Sequence, residues 1–159
     1  MSPEVTFVST PSHPPQLGSE FAACIASSSE RLRAVPPHRA EECWRPGGWT
    51  RKQVLGHLLD SALNNHNRFV RAALDGEYRG PNYEQEPWVE LHGYRDADWN
   101  ELLQTWQIMN RRLAGLVARI PAGRYASMCV IGNGPPVTLQ FLIEDYLSHL
   151  NHHIEQIAG

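Results

Sequence analysis

Apolar residues recur at every third or fourth position in separate stretches of this chain, the spacing of helices that bury one face. The first stretch runs from about Ser19 to Val35, with Phe21, Ala22, Ile25 and Leu32 in step, and Pro36 and Pro37 stop it. The second is the clearest. Thr50 is placed to cap it, Gln53 completes a capping box, and Val54, Leu55, Leu58, Leu59, Ala62, Phe69, Val70 and Ala73 form a broad apolar face that ends at Gly76. The third starts near Asp96 or Asp98, where Asp98 and Glu101 repeat the capping signal. It turns Leu102, Trp106, Met109, Leu113 and Val117 inward and ends near Ile120, before Pro121. The fourth begins at about Thr138 and runs to the end, with Leu139, Ile143, Tyr146, Leu150 and Ile157 along one stripe. Amphipathic helices of this number and length predict an all-α four-helix bundle.

The segments between them are less regular. Residues 1–17 carry Pro3, Pro11, Pro14 and Pro15 and predict an extended N-terminal arm ahead of one domain over residues 18–159. The run EYRGPNYEQEPWVELHGY, residues 77–94, predicts a long aromatic loop between the second and third helices, a kind of connection that often carries function. Tyr125 to Ile131 has strand character and Gly132-Asn133-Gly134 is a turn signal. Pro135 and Pro136 limit this region to a short hairpin before the last helix.

Composition narrows the function. At 159 residues and 42% apolar, the chain suits one domain with a real core. A net charge of −3 gives no basic footprint for nucleic acid. No apolar run approaches the roughly 20 residues of a membrane span, and the N-terminus lacks the pattern of a secretion signal. A cytoplasmic protein acting on a small molecule is expected. Cys24, Cys43 and Cys129 are odd in number and form no CxxC pair, so they read as small buried hydrophobes.

The chemistry sits in HLNHHIEQI, residues 149–157. At about 100° per residue, His153 falls beside Tyr146 on the apolar stripe, His149 at its edge, and His152 on the polar side with Asp145 and Ser148. His149 and His153, four apart, can reach one ion, although such a pair also arises on ordinary helix edges. A catalytic site of this type takes three protein ligands and leaves one position open. The third would come from another element: His57 or His66 in the second helix, or His13, His38 or His92 in loops. His57 stands in a row with Ser61, Asn64 and Arg68, off the main apolar face; the row is either a solvated surface or one wall of a pocket between helices.

The run RPGGWTRKQVLGHLLDSALNNHNRF resembles the first block of the DinB-like, YfiT-type metal-dependent proteins. The matching residues are Gly47, Gly48, Trp49, Thr50, His57, Asp60, Ser61, Asn64, Arg68 and Phe69. His149 and His153 match the histidine block near the end of the family's fourth helix, and Tyr83 and Trp88 look like its aromatic loop. The resemblance spans about residues 45–157; this sequence ends at Gly159, where members tend to continue. It implies a four-helix bundle, one divalent metal ion, zinc or nickel, held by His57, His149 and His153, and a homodimer. It also implies that the metal activates a low-molecular-weight thiol for S-transfer, or a water for hydrolysis of an amide or ester. A non-catalytic metal- or ligand-binding bundle is the alternative outside catalysis. Asp60 would hold an imidazole or act as a base. Tyr146 would orient a ligand. Asn64 and Arg68 would bind a carboxylate or a sugar-like part of a thiol, and Trp88 with Tyr83 would cap the pocket.

Overall fold

The computed structural model describes residues 14–159, so residues 1–13 of the expected arm lie outside the described residues. Helix α1 (Pro14–Arg33) begins earlier than the periodicity predicts. Proline suits a first helical turn, where its missing N–H would be unsatisfied in any case. The extra turn carries Leu17 into the core, 1% exposed. A short α2 (Pro37–Ala40) follows the proline pair.

Helix α3 (Arg51–Asp75) has the capping box read from Thr50 and Gln53, and it ends on Gly76 in the left-handed conformation at φ 82. Helix α5 (Trp99–Arg119) starts on Asp98, whose side chain accepts from the Glu101 N–H, and α6 (Leu139–Ala158) starts on Thr138, which accepts from Phe141. Helix α1 packs against α5 and α6, and α3 packs against the same two, so α1 and α3 occupy opposite corners of a four-helix bundle. Phe21, Leu55, Phe69, Trp106, Ile143 and Leu150 are among the fully buried side chains at its centre. No helix among the described residues is long and apolar enough to cross a membrane.

The expected loop over residues 77–94 is instead structured. It holds β1 (Glu77–Gly80), α4 (Gln85–His92) and a 3-10 turn, Tyr94–Asp96. Strand β1 pairs in parallel with β2 (Met128–Ile131), and β2 pairs antiparallel with β3 (Val137–Thr138). The short hairpin is therefore present, with an unforeseen third strand. The cysteines also divide: Cys129 is buried, Cys24 is half-buried with its thiol against Asn151 Oδ1 at 3.3 Å, and Cys43 is exposed.

The segment after α4 lies against the N-terminal half of α3. Tyr94 packs on Gly56 so closely that an added Cβ would clash with its ring. Lys52, 4% exposed, donates to the Ala97 carbonyl at 2.7 Å and pairs with Glu41 at 2.7 Å. Alanine favours a helix over glycine, yet Gly56→Ala should lower stability by about 1–3 kcal/mol through overpacking. Urea denaturation measures this; a stability gain would mean that Tyr94 moves aside freely.

Candidate metal centre

The ends of α3 and α6 meet through Arg51. Its guanidinium, 7% exposed, donates from Nε to the Ile157 carbonyl at 3.1 Å and from Nη1 to the Cys43 carbonyl at 3.3 Å. This brace sets His57, on the second turn of α3, opposite His149 and His153 on α6. The Nε2 atom of His149 lies 3.1 Å from Nε2 of His57 and 3.1 Å from Nε2 of His153. The three ligand nitrogens all lie within 4.8 Å of one another, and the rings meet edge to face at 75–77°.

Protons alone do not satisfy this arrangement. An imidazole nitrogen carries either one hydrogen or one in-plane lone pair, so His149 Nε2 cannot bond well to both neighbours at once. A cation can take a lone pair from all three. Bonds of about 2.0–2.1 Å from one ion place neighbouring nitrogens about 3 Å apart, which fits the observed spacing. The tautomers agree on α6: His153 Nδ1 lies 2.7 Å from Gln156 Oε1, so the proton belongs on Nδ1 and the Nε2 lone pair is free. His57 is fully buried, and its Nδ1 has no partner among the described residues. His152 is turned away, its Nε2 3.2 Å from the Gln156 amide nitrogen.

Electrostatics keep the cluster neutral. Burial, with the neighbouring imidazoles adding to it, lowers the pKa of His57 to about 3 and that of His149 to about 4. His153 is also lowered, chiefly by burial. His153 opens on a cleft of about 310 Å³ that Trp44, Trp49, Gly48, Glu86 and Gln156 also line. The Pro-Gly-Gly turn builds this wall: Gly47 takes φ 72, and Trp44 N–H donates to the Trp49 carbonyl at 3.1 Å. The Trp49 ring sits 5.4 Å from that of His57.

A family model described as the DinB superfamily matches residues 13–157. The chain belongs to the DinB superfamily. It is 28% identical over 134 residues to YfiT of Bacillus subtilis (strain 168), covering 84% of this chain and 75% of that one. That relative's name places it provisionally among metal-dependent hydrolases. A similarly named protein of Bacillus mycoides (strain KBAB4) is 40% identical over 75 residues, 47% of this chain and 39% of its own length. The solved structure of YfiT, described as a four-helix bundle of unusual topology, aligns with a TM-score of 0.81 at 22% identity, covering 99% of this chain and 89% of that one. A mycothiol-dependent maleylpyruvate isomerase aligns with a TM-score of 0.76 at 15% identity, covering 92% and 61%. These two likenesses establish the fold.

The other expected site residues of this superfamily member are distributed unevenly. Asp60 is fully buried and does hold an imidazole, but that of His92: the His92 Nδ1 lies 3.1 Å from Asp60 Oδ1, and the Tyr94 hydroxyl donates to the same oxygen at 2.7 Å. His92 Nδ1 also lies 3.0 Å from the Trp88 carbonyl, so with two acceptors it is the protonated nitrogen. Burial raises the Asp60 carboxyl above its usual range, with the Tyr94 hydrogen bond opposing. Tyr146 is a core residue. Its hydroxyl donates to Asn110 Oδ1 at 2.6 Å and its ring lies between Phe21 and Phe69, so the ligand-orienting role expected of it has no free hydroxyl to serve it. Asn64 donates to the Asp60 carbonyl at 2.9 Å. The row from His57 is not a solvated surface: His57, Ser61 and Arg68 are all buried. Gln156, Arg51, His92 and Tyr94 were not foreseen in their roles; only Gln156, three residues after His153 on one helix, left a local signal.

Two outcomes test this geometry. An imidazole with a folded pKa below its unfolded 6.5 binds more protons when unfolded, so acid favours unfolding. The metal-stripped chain should therefore melt at lower temperature as pH falls from 6.5 towards 4, and His57→Gln should reduce that pH dependence. Identical slopes in both chains would count against a neutral buried cluster. Tyr146→Phe should destabilise by about 1–3 kcal/mol, because Asn110 loses a buried partner, while metal content is unchanged. Loss of metal in that variant would return the hydroxyl to the site.

Proposed function

We propose that this protein is a divalent-metal enzyme that activates a small thiol for transfer to an electrophilic carbon. The observation that carries this reading is the convergence of three imidazole nitrogens beside a cleft that His153 lines. Three neutral donors leave a divalent ion, zinc or nickel, with its full charge. The ion, when bound, supplies Lewis acidity that lowers the pKa of a thiol or water in the remaining position.

The chain's own residues do the rest. His57, His149 and His153 stay neutral and keep their lone pairs directed at one point. Gln156 holds the His153 ring in register. Trp44 and Trp49 supply indole surface to the wall of the cleft. The thiol releases its proton to solvent, its sulfur forms a bond to the carbon, and the bond from that carbon to the leaving group breaks, the leaving group departing with its electron pair. Similarity of fold to a mycothiol-dependent isomerase supports the thiol reading. The names of the sequence relatives favour a second reading, hydrolysis of an amide or ester at the same centre.

Elemental analysis of the untagged protein should find one divalent ion per chain, lost in His57→Ala, His149→Ala and His153→Ala and kept in His152→Ala. A His57→Ala chain that retains its full metal would overturn the ligand set. The loaded protein should then conjugate an electrophilic dye to small thiols, and metal removal should abolish this. Metal-dependent ester cleavage without any thiol would favour the second reading.

A further inference from the structure

A second cleft lies away from the histidine mouth, between the middle of α3 and the segment carrying β1 and α4. It encloses about 310 Å³ and is lined by Leu63, Asn64, Arg68, Tyr78, Pro81 and Trp88. None of the three histidines lines it. It brings together residues that the sequence set in one row on α3 with the aromatic residue expected to cap a pocket.

Arg68 is the unusual group. It is 8% exposed, yet its guanidinium meets only neutral acceptors: the Pro81 carbonyl at 3.3 Å and Asn65 Oδ1 at a marginal 3.5 Å. Among the described residues, no carboxylate lies within ion-pair distance of it. The buried carboxylate of the same helix, Asp60, is engaged by Tyr94 and His92. A buried charge without a counter-charge is destabilising, and a planar guanidinium is suited to a carboxylate that accepts two hydrogen bonds at once. The surroundings define the rest of the ligand. The Arg68 guanidinium carbon lies 6.0 Å from the centre of the Tyr83 ring, and that ring lies 5.1 Å from Trp88. Leu63, 44% exposed, adds apolar surface at the rim.

Resting on the metal-enzyme reading above, we propose that Arg68 and Trp88 form a carboxylate subsite. It docks a small organic acid with a flat apolar body, the carboxylate on Arg68 and the body against Trp88. The carboxylate can belong to the electrophilic acceptor or to the thiol; both present the same chemistry to Arg68.

The test uses the full chain, with and without metal. Phenylacetate and its neutral analogue phenylacetamide are titrated while NMR follows the Arg68 Nε–H and the Trp88 indole N–H. N-acetylcysteine and its amide form the thiol arm. Phenylacetate should shift both signals to saturation and bind about tenfold or more tightly than the amide. That preference should be lost in Arg68→Met. A stronger carboxylate preference in the N-acetylcysteine arm would assign the subsite to the thiol instead of the acceptor. Binding in the metal-stripped chain separates this subsite from the metal reading: it should persist there even if the three histidines prove to hold no ion. Equal binding of acid and amide by the wild-type chain, or shifts confined to residues outside the cleft, would overturn the subsite. The wild-type comparison stands even if Arg68→Met does not fold.

Discussion

Everything proposed for the site depends on α3 and α6 meeting at one point in one register, and a buried arginine enforces that meeting. Arg51 stands at the first position of α3 and reaches the Ile157 carbonyl in the last turn of α6. A cation is favoured at a helix C-terminus, where unpaired carbonyls carry partial negative charge. Its burial would be unfavourable if those carbonyls and that of Cys43 did not accept its protons. The brace lies one turn beyond His153 and two turns before His57. A slip of one residue in either helix would rotate an imidazole by about 100° and dissolve the cluster.

Helix α3 serves two neighbours from adjacent faces. Lys52, Gly56 and Asp60, one turn apart, form the strip on which the segment around Tyr94 is fastened, through a lysine bond to Ala97, a ring on a bare glycine and a buried carboxylate. His57 stands one position on from Gly56 and faces α6. The strap and the metal cluster are therefore set by one helix, and displacement of the strap would be felt within a single turn at His57. This also accounts for the identity of residue 56: a side chain there would occupy the volume of Tyr94, which holds Asp60.

The parts of the fold that were legible are those written locally. Thr50 with Gln53, Asp98 with Glu101, and Thr138 each marked a helix start from a few neighbouring residues, and each cap is present. Strand β1 was not legible because its partner, β2, lies far along the chain in a parallel pairing that no local pattern encodes. Helix α4 was hidden because Glu84 offers no side-chain cap and Pro87 stands in its first turn. The site divides in the same way. Two histidines four apart on α6 could be paired on a helical wheel, but His57 joins them across an interhelical contact, which periodicity does not report; the family resemblance pointed to it. A wheel places Tyr146 beside His153 but does not report that Asn110, on α5, takes its hydroxyl.

Burial and the wish for a cation are linked at this cluster. The lowered pKa of His57 and of His149 means that no proton has to leave before an ion can enter at neutral pH. Protons alone leave His149 Nε2 able to bond well to only one of its two neighbours at 3.1 Å. That conflict belongs to the folded state alone, because unfolding separates the histidines. A bound cation relieves it and stabilises only the folded chain, so its binding energy adds to folding by mass action. A bound ion would tie α3 to α6 through His57, His149 and His153, beside the Arg51 brace.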